Sequence, residues 1–67
     1  MDKQTLVRDM RKECGSLPTI SDLAKYMGKS RESIRELVDG LDYLPDGRAK
    51  KYFIVDVADR IMQRRAR

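Results

Sequence analysis

The sequence contains no histidine and no tryptophan, one phenylalanine, one cysteine and two prolines. Each shortage excludes a class of chemistry. A lone cysteine, Cys14, cannot close an internal disulfide, and with no histidine or second thiol a zinc site has no ligand set. A catalytic cysteine would lack an imidazole base, so Cys14 reads as a small apolar packing residue suited to a reducing cytoplasm. No run approaches the roughly 20 apolar residues of a membrane span, and no signal-peptide pattern opens the chain. A cytoplasmic protein with no membrane association is therefore expected. Internal repeats, low-complexity stretches and linkers are also lacking, which leaves a single domain over residues 1–67. That length is close to the lower limit for folding without disulfides or metal. General acid–base chemistry wants histidine or perturbed carboxylates in a cleft; the acids here stand among basic neighbours on expected outer faces. Neither an enzyme nor a cofactor is expected.

Charge is what the chain has in excess. Lys and Arg number 15 against 11 Asp and Glu, a net charge of +4. Residues 1–47 hold eight basic and nine acidic side chains, a net of −1, whereas residues 48–67 hold seven basic (Arg48, Lys50, Lys51, Arg60, Arg64, Arg65, Arg67) and two acidic (Asp56, Asp59), a net of +5. So lopsided a basic surface attracts polyanions, because each phosphate neutralised releases condensed counterions.

Hydrophobic spacing divides the chain into five elements. Leu6, Val7, Met10 and Cys14 recur on one face of a helix over about residues 3–14, which Gly15 ends. Thr19 and Asp22 have capping-box spacing at the start of a helix over 20–27, with Ile20, Leu23, Ala24 and Met27 as its stripe. Gly28 and Lys29 interrupt it. Ser30 then caps a helix assigned to 30–39, with Ile34, Leu37 and Val38 buried and Gly40 as its stop. From Leu41 the period changes to alternation, Pro45-Asp46-Gly47-Arg48 is turn chemistry, and Lys51-Tyr52-Phe53-Ile54 is strand-like, predicting a β-hairpin over 41–54. Val57, Ala58, Ile61 and Met62 predict a last helix over 55–65.

The segment Thr19–Gly40, TISDLAKYMGKSRESIRELVDG, resembles the helix-turn-helix signature of bacterial repressors and activators, with Ala24 as its small residue and Gly28 at its turn. Lys29 stands where an apolar residue is usual. The following LDYLPDGRAKKYFIVDVADRIM resembles the wing and succeeding helix of the excisionase and MerR-type group. Together the two cover about residues 19–63, preceded by a further helix that fits the broader three-helix form. The expected fold class is mainly α with a small β-hairpin, a winged helix-turn-helix of three helices, wing and C-terminal helix. What the resemblance implies is sequence-specific binding of double-stranded DNA, in an excisionase-like recombination role or as a small transcriptional regulator, with a recombinase or integrase as a second partner. A protein-interaction module built on the same fold is the alternative.

Burying Ile34, Leu37 and Val38 leaves Asp39 and the four charges Arg31, Glu32, Arg35 and Glu36 facing out, with Ser30 and Ser33 at the N-terminal end. Such a helix enters the major groove by its N-terminal part. Arg31 and Arg35 suit guanine O6 and N7, and Glu32 suits a cytosine amino group. Equally, these four charges could form i, i+4 pairs on a solvated face. Lys29, Ser30 and Ser33 complete the helix end. In the hairpin, Arg48 is a candidate for minor-groove or phosphate contact, and Lys50 and Lys51 for phosphates; the lysines would also protect a strand edge. Alternation is expected to put Arg48 and Lys50 on one side while Tyr52 or Phe53 anchors the other. Arg60, Arg64, Arg65 and Arg67 could lie along DNA or serve a solvated helix terminus. Cooperative monomers and a dimer through the first helix both remain open.

Overall fold

The computed structural model describes residues 2–65; Arg67 and the side chain of Arg65 lie outside what is described. Among the described residues there are four helices and one hairpin: α1 (Lys3–Cys14), α2 (Ile20–Met27), α3 (Arg31–Val38), β1 (Tyr43–Asp46), β2 (Ala49–Tyr52) and α4 (Ile54–Arg65). The expected mainly helical class with a small hairpin is what is found. No helix of the described residues is long and apolar enough to cross a membrane.

Local chemistry accounts for the boundaries. Asp2 caps α1 by accepting from the Thr5 amide at 2.7 Å, and this bond holds its carboxyl below the ordinary value. At α2 the capping box is complete: the Asp22 amide donates to Thr19 Oγ1 at 3.2 Å, and the Thr19 amide donates to Asp22 Oδ2 at 3.1 Å. Gly28 ends α2 in the left-handed conformation, φ 67° and ψ 37°, where a side chain would be strained. Ser30 lies outside α3 as its cap, accepting from the Ser33 amide at 3.1 Å. The helix stops at Val38 with Asp39 as its C-cap, so it is one residue shorter at each end than the expected 30–39.

The hairpin is tighter than expected. Tyr43 pairs with Tyr52 and Asp46 with Ala49, which leaves Gly47 and Arg48 as a two-residue loop. Pro45 and Asp46 therefore belong to β1 rather than to the turn. Gly47 has φ 62° and Arg48 is not in the positive-φ region, the pattern of a tight II′-type hairpin turn. Pro45, which lacks a backbone donor, sits on a strand with a free outer edge, where its loss is tolerated. The Tyr52 amide donates to the Pro18 carbonyl at 2.9 Å, tying the foot of the hairpin to the α1–α2 connection.

One apolar core joins the elements: Leu6 and Met10 from α1, Leu23 from α2, Ile34, Leu37 and Val38 from α3, Tyr52 from β2, and Ile54, Val57 and Ala58 from α4. The first helix lies against α4 and α2, while α3 lies against both α2 and α4. Val7, Ala24, Met27, Ile61 and Met62 are partly buried around this core. Ile54 opens α4 instead of closing a strand, because its buried side chain continues the Val57 and Ala58 face. A Lys3–Asp59 pair at 2.8 Å links α1 to α4 on the surface.

Candidate nucleic-acid interface

The turn between α2 and α3 is short because Gly28 reverses the chain and Ser30 restarts a helix two residues later. This leaves α3 resting on the core through Ile34, Leu37 and Val38, with Arg31, Glu32, Ser33, Arg35 and Glu36 exposed. Residues 31 and 35, one turn apart, point along the same edge. That edge faces the hairpin. Arg31 and Arg35 from α3 and Arg48 and Lys50 from the hairpin line one open cleft. Four cationic side chains from two elements thus share one concavity. Thr19 and Ser21, at the N-terminus of α2, the acidic Asp39 at the end of α3, and Tyr43 line it too; of these, only Thr19 carries a local sequence signal named above, as a helix cap, and not as part of a binding face. Thr19 and Ser21 were legible as the start of α2. Tyr43 was not, because its direction depends on the strand register.

Within the hairpin, Tyr52 is the anchor at 5% exposure, while Phe53 is 36% exposed. The expectation that Lys50 and the anchoring aromatic face opposite ways is corrected: Tyr52 is the anchor, and Lys50 and Tyr52, two apart on β2, share a face. Burial still separates them, since Tyr52 is at the hairpin foot and Lys50 nearer the tip. The Lys50 ammonium lies 4.8 Å from the Tyr43 ring centre, a cation–π contact that holds it on the cleft side. The Tyr43 and Tyr52 rings stand 5.7 Å apart across the strands. Lys51 falls on the other face, where its ammonium is 3.4 Å from Asp46 Oδ2, and it does not line the cleft.

Lys29 and Ser33 are placed differently again. Both line a second trough on the opposite flank of α3, with Glu36 and Arg64 on its rim and Met27 and Ile61 in its floor. The third helix is thus a ridge between two depressions. Ser30 is engaged in capping, its hydroxyl also donating to Ser33 Oγ at 3.0 Å. Glu32 is exposed and lines neither trough.

Arg60 and Arg64 of α4 make contacts that neither expectation for them included. Arg60 Nη1 donates to the carbonyls of Leu37 and Asp39, each at 2.9 Å, and Arg64 Nη2 donates to the Glu36 carbonyl at 3.1 Å. The C-terminal carbonyls of a helix have no partner within it, and here a neighbouring helix supplies cationic donors, a favourable match to the dipole. Between α2 and α1, the Tyr26 hydroxyl donates to the Asp9 carboxylate. Burial, this bond and the acidic neighbours push the Tyr26 phenol up to about 12. Burial and nearby Asp22, Glu13 and Asp9 likewise raise the Cys14 thiol.

Comparison of the chain with known protein families, with curated proteins and with solved structures finds no match.

Proposed function

We propose that this chain is a sequence-specific double-stranded DNA-binding protein with a winged helix-turn-helix arrangement, acting as an excisionase-like recombination factor or a small transcriptional regulator. The observation that carries the reading is the shared cleft: Arg31 and Arg35 of α3 and Arg48 and Lys50 of the hairpin face one concavity. An α-helix with its side chains is about 10–12 Å across, which a major groove about 12 Å wide admits. The N-terminal half of α3 enters the groove, with Arg31 and Arg35 directed to guanine edges and Glu32 to a cytosine amino group. The hairpin tip, led by Arg48, follows the adjacent backbone, and Lys50 neutralises a phosphate. Lys29 meets the opposite strand from the other flank of the ridge, and Ser30 and Ser33 hold the helix end that approaches the bases.

Function on this reading is occupancy rather than chemistry. A bound copy blocks or bends a site, or presents it to a recombinase. The test is selection from a random duplex library followed by titration against salt. Recovery of a consensus, with log affinity falling against log salt at a slope of roughly −4 to −6, is the expected result. Arg31→Ala should weaken the selected site by about 1–3 kcal/mol more than it weakens random duplex, reducing the sequence preference. Absence of binding at low salt would sink the reading and favour a protein-interaction module on the same fold.

A further inference from the structure

We propose that Arg60 is a positioning residue that sets the angle between the two halves of the cleft, and is not itself a phosphate contact. The inference rests on the reading of α3 and the hairpin as one DNA-binding face. Its basis is where the two bonds of Arg60 land. Leu37 is in the last turn of α3, whereas Asp39 is its C-cap, the residue from which the chain departs toward β1. One guanidinium nitrogen donates to both carbonyls, each at 2.9 Å. The bonds therefore span the joint between the helix bearing Arg31 and Arg35 and the segment leading to the hairpin bearing Arg48 and Lys50.

The foot of the hairpin is seated by buried Tyr52 and its bond to Pro18, and Val38 is in the core; between them the backbone itself has, among the described residues, only two further bonds. The Leu41 amide donates to the Val38 carbonyl at 3.0 Å, and the Asp39 amide makes a longer 3.4 Å bond to the Glu36 carbonyl. Gly40 follows at φ 86°, a conformation open to few other residues. Arg60 is half-buried against α3, and its charge is directed at carbonyl dipoles rather than out along the cleft, which it does not line. Arg64, one turn further along α4, supports the same helix end through the Glu36 carbonyl. A planar guanidinium at fixed reach is suited to this; a lysine ammonium, one bond shorter, is not.

Arg60→Lys and Arg60→Gln test the proposal, with Lys50→Ala as the control expected to remove a phosphate contact. Affinity is measured for the selected site and for random duplex across a salt series, well below each variant's thermal midpoint. Both Arg60 variants should lose about tenfold on the selected site, with little change on random duplex and an unchanged salt slope. A simple loss of folded protein would lower both affinities together. The proposal is overturned if Arg60→Gln reduces the slope by about one unit while Arg60→Lys behaves as wild type, the signature of a phosphate contact. It is also overturned if both variants keep wild-type affinity for the selected site. Amide chemical shifts of the free protein give a readout that needs no DNA: Arg60→Lys should move Leu37–Leu41 and leave α1 in place. Unmoved shifts there would refute the clamp even if the wild type bound no duplex, a failure that would count separately against the DNA reading. Should Arg60→Gln fail to fold, Arg60→Lys carries both measurements.

Discussion

Lys50 and Lys51 are adjacent in sequence and identical in charge, yet their positions predict opposite behaviour on DNA. Lys50 is on the cleft face, held over Tyr43, and Lys51 is on the other face beside Asp46. On random duplex, where no base contact is satisfied, Lys29, Arg31, Arg35, Arg48 and Lys50 would face phosphates. Five neutralised phosphates give a slope of about −4.5, so raising salt from about 50 to 200 mM weakens binding about 500-fold. Removing Lys50 leaves about four phosphates, a slope of about −3.6 and a loss of about 150-fold over the same range. Removing Lys51 breaks only an exposed pair worth about 0.2–1 kcal/mol and leaves the slope at its wild-type value. Fluorescence anisotropy of a labelled random duplex, titrated at four salt concentrations with wild type, Lys50→Ala and Lys51→Ala, measures all three slopes. If Lys51→Ala lost a full unit of slope and Lys50→Ala none, the hairpin would present its other face to the duplex and the cleft assignment would be wrong.

Three further predictions concern the scaffold. Thr19→Ala removes the capping box of α2 and should cost about 1 kcal/mol, read as a lower denaturant midpoint with unchanged m-value. Gly28→Ala meets no neighbouring atom within 4 Å of the added carbon, so its cost should be the conformational one of a left-handed residue, about 1–2 kcal/mol, with Gly28→Asn milder in the same assay. The phenol of Tyr26, raised from its ordinary 10.0 to about 12, favours the neutral form in the folded state. Its contribution to stability should be fully present below pH 10 and lost as the pH rises toward about 12. Absorbance titration should show Tyr26 ionising late, and Tyr26→Phe should remove that part of the alkaline loss.

Helix positions were legible because the signals for them are local. The capping box at Thr19, the cap at Ser30 and the glycines at 15 and 28 act within one turn of their own residues, and the spacing of Leu23, Ile34, Leu37 and Val38 identifies buried faces. The hairpin was legible as an element but not in detail. Pro45-Asp46-Gly47-Arg48 satisfies several turn lengths by composition, and only the pairing of Asp46 with Ala49 decides among them. That one-residue choice decides which β1 side chains stand beside which of β2, which is why Tyr43 could not be placed with Lys50 in advance, whereas alternation alone puts Lys50 with Tyr52 and Lys51 opposite. The contacts of Arg60 and Arg64 lie 21 to 28 residues away in sequence. No periodicity in α4 encodes the end of a different helix, so their role waited on the packing of α4 against α3.

The single backbone bond from Tyr52 to Pro18 adds one rung at the base of a hairpin that, isolated, would be marginal in water. Fixed at its foot and bare at its tip, the hairpin has the form of a cantilever. Exposure follows the same gradient, with all of β1 open to solvent and β2 passing from exposed at Ala49 to buried at Tyr52. On the proposed reading, a duplex pressing on the hairpin would meet the Gly47 end first, and the strain would be borne by the exposed tip rather than by the buried root at Tyr52.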